Sequence, residues 1–456
     1  MYDVVIVGGG PGGYAASIRA AQLGGKVALV EAADIGGTCV NRGCIPAKVW
    51  GQGAYVNRMI QNAAAFGINA TIKSTDLSVL VTRMDGASGD IKMGMGGLLK
   101  NNQIEVIEGN GLIKSPGVVE IDGRQLDTRS IIVATGTSPV LPEIKEIEDA
   151  HLSTDQVFNM EQVPKSVLVY GAEHVEVEMT SILNDFGCKV TLAFAGARIL
   201  PAEDGDTSQR IAAALREQGV EILPRMSLKS VKKSGKNIKA VLAGKEEQSV
   251  TVNRILTSIR QPNTQNIGLE ATGIAVDDKR FIKVDENLRT NMDNIYAIGD
   301  VTGGWQLSYA ATVMGVVAAE NAMGQSSIFN NRLVPRGLNT FPEAAAVGLS
   351  EEEAEKMDYE VEVGNFPMSI NGVAIARGEL DGAVKIVYDA KYGEVLGVHI
   401  VGSHANELIW GASLAMQMEA TVEDIARTIV VHPTFSESIT LASQDAMAWS
   451  LYLPKR

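Results

Sequence analysis

Short apolar runs and longer mixed stretches alternate along the chain, and their order predicts a strand–helix–strand plan laid down twice. Val4-Val5-Ile6-Val7 is β-branched throughout, the pattern of a strand buried on both faces of a parallel sheet. An Ala-rich helix follows from Tyr14 to Leu23, then a strand from Val27 to Val30 ending in Glu31. Residues 54–110 read mostly as helix, with an apolar strand at Ile104-Glu105-Val106-Ile107. Ser130 to Thr137 is another β-run. The plan then restarts with strand Ser166 to Tyr170, a helix, and strand Lys189 to Phe194. Ile295 to Asp300 reads as a strand and Leu307 to Met323 as a helix. Nearer the C-terminus, strands Val384 to Tyr388 and Val395 to Val401 precede helices Glu407 to Met418 and Val422 to Arg427. Strands alternating with helices predict an α/β fold.

Size and charge narrow the picture. A chain of 456 residues exceeds what one core serves, so two to four domains are expected. A net charge of -14 argues against nucleic acid or an anionic membrane as partner. No apolar run reaches the roughly 20 residues of a membrane helix. Met1-Tyr2-Asp3 lacks the positive region of a signal peptide, and Val4 to Val7 is too short for its apolar core. Few cysteines, two of them in a redox arrangement, fit a reducing cytoplasm.

Those two are Cys39 and Cys44, within Gly36-Gly37-Thr38-Cys39-Val40-Asn41-Arg42-Gly43-Cys44-Ile45-Pro46-Ala47-Lys48. A helix places side chains at i and i+5 about 140° apart, so a disulfide here requires a distorted turn or a loop entry. A thiol near a helix N-terminus is biased toward the reactive thiolate, and Arg42 pushes the same way. The bland alternative is a pair of small apolar core residues. Earlier in the chain, Gly8, Gly10 and Gly13 complete G-x-G-x-x-G between strand and helix, with Glu31 ending the next strand. That context marks a dinucleotide site: glycines admit a pyrophosphate and the acid accepts from a ribose hydroxyl. Near the C-terminus, His432 is followed by Glu437, a histidine and carboxylate suited to general-base work on thiols.

The dithiol segment resembles the redox-disulfide signature of the flavin-dependent pyridine-nucleotide disulfide oxidoreductases, and Gly-Cys-Ile-Pro-x-Lys resembles the dihydrolipoamide dehydrogenases among them. The resemblance covers essentially the whole chain. It implies two Rossmann-like dinucleotide-binding domains, of FAD and NAD type, plus a C-terminal α+β dimerisation domain. The expected segments are 1–148 (FAD-binding, with the redox disulfide), 149–272 (NAD type), 273–337 (return to the FAD domain) and 338–456 (dimerisation). FAD is the implied cofactor, contacted by Gly8, Gly10, Gly13, Glu31, Gly37, Thr38, Lys48, the Thr135-Gly136 turn, Gly299 and Asp300. Cys39 and Cys44 are the implied disulfide, with Cys44 nearer the flavin. His432, oriented by Glu437, is the implied base and serves the disulfide of the other subunit of a homodimer, so the active site is shared. A lipoyl-bearing carrier protein or small dithiol is the implied substrate. Glu178 matches a carboxylate that pairs with Lys48 in the family, the alternative being a solvated helix charge.

The chain departs from the family pattern at several places beyond residue 170. The second glycine fingerprint reads Gly171-Ala172-Glu173-His174-Val175-Glu176, with glutamates at two glycine positions, and Phe194 replaces the acid after the next strand. Gly-Arg-x-Pro-Asn-Thr appears as Ile259-Arg260-Gln261-Pro262-Asn263-Thr264. Two like charges about 4 Å apart cost about 4 kcal/mol at an effective dielectric near 20, or roughly three decades of affinity. Arg198 is a single candidate for a 2′-phosphate. NAD is therefore doubtful, and a protein or quinone partner becomes the alternative acceptor. A non-enzymatic redox-sensing or assembly flavoprotein is the alternative of another class. The family's Ala-His-Lys-Ala before the last flavin-domain helix reads Ser308-Tyr309-Ala310-Ala311. Cys188 and His151, His174, His399 and His404 show no metal-ligand spacing and are expected to be structural.

Overall fold

The computed structural model describes residues 1–148 and 150–454. The expected segment boundary at 148/149 therefore touches Asp149, which lies outside the described residues, as do 455 and 456 at the expected end of the dimerisation domain. The chain forms two compact units. One comprises Met1–Pro142, Ser153–Gln162 and Ser258–Asn330; the other takes in Glu143–Leu152, Val163–Thr257 and everything from Asn331.

The first unit is built on five parallel strands in the order Glu105–Glu108, Val27–Glu31, Tyr2–Val7, Arg124–Val133 and Ile295–Ala297. Tyr2–Val7 lies centrally, and its pleat explains the unbroken apolar run. Val5 and Val7 face one core while Val4 and Ile6 face another, beneath the helices Pro11–Gln22 and Ser308–Ala322. Those two helices touch through glycine: a Cβ on Gly315 would lie 2.2 Å from the Gly12 carbonyl oxygen. Between them the chain supplies the helices Gly37–Arg42, Cys44–Asn62 and Leu77–Asn101. Two expected strands end early. Arg124–Val133 stops before Ala134, and Ile295–Ala297 gives way to a 3-10 turn, Gly299–Thr302. In both places a glycine at positive φ, Gly136 (66°) and Gly299 (69°), turns the chain out of the sheet.

The second unit repeats the parallel plan: Glu221–Pro224, Lys189–Phe194, Ser166–Tyr170, Arg254–Leu256 and His151–Leu152. A three-stranded antiparallel sheet (Ser227–Ser234, Asn237–Ala243, Glu247–Val252) packs on it. The rest of this unit is a five-stranded antiparallel sheet, Arg336–Leu338, Ala344–Gly348, Val395–Val401, Ala383–Asp389 and Val361–Pro367, with helices Ala405–Gln417, Val422–Arg427 and Glu437–Ala446. A line of charge joins the two sheets inside this unit. Buried Arg336 meets Glu203 at 2.9 Å, and buried Lys385 meets Asp204 at 3.1 Å and also bonds Glu351. Among the described residues no helix is long and apolar enough to cross a membrane.

Candidate active site

The dithiol sits at a deliberate break in a helix. The chain enters Gly37–Arg42 through Gly36 (φ 97°), where a Cβ would lie 2.6 Å from Val40 Cβ. Gly43, at φ -130° and ψ -102°, ends that helix, and the next, Cys44–Asn62, starts on the cysteine itself. The break supplies the distortion that the i, i+5 spacing demanded. Both cysteines are half-buried, and their thiols hydrogen-bond each other. The hydrogen bond from Cys39 pulls the Cys44 thiol down to about 6 against burial, with the Ser308 hydroxyl and the Lys48 ammonium acting the same way. The same bond, with burial, pushes the Cys39 thiol up. Both shifts favour losing the proton at Cys44 rather than at Cys39. Cys44 is the better leaving group and Cys39 the better target for attack.

The glycine turn beside the dithiol has the shape a pyrophosphate needs. Gly8 is at φ 109°, and a Cβ there would lie 2.3 Å from the Ala134 carbonyl oxygen. A Cβ on Gly13 would sit 1.8 Å from Gly8 O, so the helix packs on the turn only because position 13 has no side chain. A Cβ on Gly10 would meet nothing nearer than Gly37 Cα at 4.0 Å, which leaves an open side facing Gly37 (φ 55°). The Glu31 carboxylate lies at the lip, accepting from the N–H groups of Gly9 (2.5 Å) and Ala33 (2.8 Å). Asp300 follows Gly299 and accepts from the Thr137 hydroxyl at 3.0 Å. Burial holds it above the usual carboxylate range, opposed by Thr137 and the Arg260 charge. An open glycine cradle for the pyrophosphate, a lip carboxylate and a half-buried acid to accept from hydroxyls fit the groups of FAD. Thr135 and Gly136 form the turn next to this cradle. Thr135 exchanges hydrogen bonds with Asn263 (2.9 and 2.8 Å), and Gly136 O accepts from Asn263 N–H at 2.9 Å, so the Ala-Thr-Gly turn is clasped by Pro262-Asn263.

The histidine belongs to the other unit. His432 Nδ1 lies 2.8 Å from Glu437 Oε1, while Glu437 Oε2 accepts from the Thr434 N–H at 2.9 Å. Glu437 opens the helix Glu437–Ala446, where the helix dipole favours a carboxylate. With Nδ1 held, Nε2 is the free end of the ring, and His432 is 68% exposed. Its apolar neighbours Ile429 and Val431 are 97% and 76% exposed.

Residues 2–315 match the family of pyridine nucleotide-disulphide oxidoreductases, and residues 334–443 match the dimerisation domain of the same family. The chain belongs to the pyridine nucleotide-disulphide oxidoreductases. Among curated relatives, it is 39% identical to a dihydrolipoyl dehydrogenase of Thermus scotoductus, over 100% of this chain and 99% of that one. It is 37% identical to the dihydrolipoyl dehydrogenase of Bacillus subtilis, over 98% of each. Among solved structures, LpdA from Mycobacterium tuberculosis superposes with a TM-score of 0.89 at 28% identity, over 97% of this chain and 98% of that one. The HOCl-induced flavoprotein disulfide reductase RclA from Escherichia coli superposes with a TM-score of 0.84 at 26% identity, over 96% and 98%.

For a pyridine nucleotide-disulphide oxidoreductase the second fingerprint is the unusual part. Gly171 keeps φ 145°, yet the Glu176 side chain folds back over it: a Cβ on Gly171 would lie 2.5 Å from Glu176 Cδ. Glu176 is buried, so its side chain occupies the turn where the third fingerprint glycine would leave room. Glu173 caps the same helix and is exposed. Phe194 is buried at the strand end. Arg198 is bound to Glu352 by two hydrogen bonds of 2.7 Å and donates to the Pro201 and Glu203 carbonyls. These residues do not fit NAD(H) or NADP(H).

Two contacts in the site were not anticipated from the sequence. Arg260 donates to the Thr137 hydroxyl and carbonyl, both at 2.8 Å, and to the Thr38 hydroxyl at 3.3 Å. It ties the dithiol helix to the Asp300 corner, and its place in Arg-x-Pro-Asn was the available signal. Ser308 lies 3.5 Å from Cys44 Sγ. Glu178 accepts from both the N–H and the side-chain amide of Asn339 at 2.6 Å, so it is not a solvated helix charge.

Proposed function

We propose that the chain is an FAD-dependent dithiol/disulfide oxidoreductase that oxidises a dihydrolipoyl-type dithiol through Cys39 and Cys44. The observation that carries this is the pair of hydrogen-bonded thiols, Cys39 and Cys44, brought together across the Gly43 break in the same unit as the glycine cradle. His432, held by Glu437, removes the proton of a substrate thiol, and the resulting thiolate attacks Cys39 of the disulfide. Cys44 leaves as thiolate. The second substrate thiol, deprotonated in turn, attacks the substrate sulfur of the mixed disulfide and releases Cys39, which takes a proton. One S–S bond is broken in the protein and one is formed in the substrate; Cys39 retains one of the two protons and the other goes to solvent. FAD, when bound, supplies the acceptor for the electron pair. Gly8, Gly10, Gly13, Gly37, Glu31, Thr38 and Asp300 would hold it, with Lys48 supporting the Cys44 charge and Gly299 setting the turn before Asp300. We keep the four-segment division given above as part of this reading.

The working unit is a homodimer in which His432 of one copy serves the dithiol of the other. Support comes from the match to the family's dimerisation domain and from apolar residues that lack cover in a single copy. Trp410, Leu414 and Met418, four apart along one helix face, are 71%, 45% and 71% exposed. The substrate by resemblance is a lipoyl group on a carrier protein, and the expected compartment is the cytoplasm. The electron acceptor is a protein or quinone rather than NAD, as the misfit of Glu176, Phe194 and Arg198 argues. Anaerobic flavin spectroscopy tests this directly. Dihydrolipoamide should bleach the flavin of the holoenzyme, and millimolar NADH should not. Rapid bleaching by NADH would overturn the choice of acceptor, and no bleaching by the dithiol would overturn the function.

A further inference from the structure

We propose that Ser308 is a tuning residue of the redox pair, its hydroxyl donating a hydrogen bond to the Cys44 thiolate and so stabilising the reduced state. The inference rests on the disulfide reading of Cys39 and Cys44. Ser308 Oγ lies 3.5 Å from Cys44 Sγ, within hydrogen-bond reach of a sulfur, and the same hydroxyl also hydrogen-bonds Cys39, so it sits against both members of the pair. The Ser308 backbone carbonyl is separately satisfied by Thr312 at 3.0 Å. Ser308 is the first residue of the 15-residue helix Ser308–Ala322, which has no side-chain cap, so its hydroxyl and the positive end of the helix face the same sulfur. The helix is fixed there by its glycine contact with Pro11–Gln22, so the serine cannot drift from the cysteine.

Cys44 has a small set of charged and titratable neighbours. Cys39 faces it from the preceding helix, Lys48 from its own, and Ser308 from the helix opposite. The family's Ala-His-Lys-Ala places alanine at this position, where no donor exists; here the basic pair is Tyr309-Ala310 and a neutral hydroxyl takes the contact. A donor to the thiolate favours reduced over oxidised protein, so it raises the reduction potential of the pair and lowers the pKa of Cys44 together. Such a pair takes electrons from a substrate dithiol more readily, which suits a protein with no nicotinamide to pull them onward.

The test uses flavin-loaded enzyme equilibrated anaerobically in glutathione redox buffers, with the Cys39–Cys44 state counted by alkylation and mass spectrometry. Thiolate absorbance against pH is measured on the fully reduced samples. Ser308→Ala should raise the Cys44 pKa by about one unit and shift the equilibrium about tenfold toward disulfide, about 30 mV for a two-electron couple. Ser308→Thr, which keeps the hydroxyl, should retain wild-type values. If the alanine variant stays within twofold of wild type, or the threonine variant behaves like alanine, the inference is overturned while the disulfide reading stands. If wild type forms no Cys39–Cys44 disulfide at any glutathione ratio, both fall.

Discussion

The two strand–turn–helix corners of this chain began from one plan and now differ at a single kind of position. In the first, Gly13 brings the helix down onto the Gly8 carbonyl, with only 1.8 Å left for a Cβ, and the outer side at Gly10 stays open. In the second, Glu176 stands where the last glycine should be, and its side chain lies across Gly171. Both strands have buried central residues, and both helices have the same length of 12 residues. Nucleotide binding and domain folding are thus separable demands. Folding needs the apolar strand and the apolar helix face; binding needs the absence of side chains at the corner.

The comparison can be attacked from either end. Gly13→Glu should copy the second corner into the first and leave less than about a tenth of the normal flavin content, since it combines steric overlap with a charge opposing the pyrophosphate. Absorbance of the purified protein measures it, and normal flavin content would break the comparison. The reverse change, Glu173→Gly with Glu176→Gly and Phe194→Glu, should tighten NADH binding by up to roughly three decades, read by calorimetry. No gain would mean that something other than the corner excludes the nucleotide. In the chemistry served by the first corner, His432→Gln should slow dithiol-dependent flavin reduction by about 10²–10⁴-fold in stopped flow. In the second unit, Lys385→Met should leave buried Asp204 uncompensated and destabilise the fold by about 3–5 kcal/mol in chemical denaturation. The smallest effect is one of pH. Glu203, despite burial, is held below the usual carboxylate range by His174 and Arg336. Its contribution to stability is complete near neutrality and is lost as pH falls below the ordinary glutamate value, so the melting temperature should drop there, and less so in Arg336→Met.

Much of this was legible in the sequence because the signals were local. Val4 to Val7, Ser166 to Tyr170 and Lys189 to Phe194 announce buried strands through mostly apolar, often β-branched side chains, and the structure places strands on all three. The His432–Glu437 contact was legible for the same reason, since five residues at a helix entrance can meet without help from elsewhere. Strand ends were less legible: Ser130 to Thr137 looks continuous, yet Asn263 holds Thr135 out of the sheet from 128 residues away. The Ser308 contact with Cys44 spans 264 residues, and no periodicity encodes it. Glu178 was open between Lys48 and solvent in the sequence, and Asn339, 161 residues away, binds one of its oxygens. What failed to show was in each case a polar side chain whose partner is chosen by the tertiary fold.

The charged line within the second unit bears on why a nucleotide domain with a closed corner is kept at all. Glu203 and Asp204 reach from it to Arg336 and Lys385 on the antiparallel sheet, and Arg198 reaches to Glu352. Excising residues 163–257 would strand an arginine and a lysine in the floor of the dimer-forming half. A lineage can therefore wear away the fingerprint residue by residue, whereas dropping the module would demand simultaneous repair of its neighbour. The module is thus tied structurally to the sheet beside it, whatever it binds.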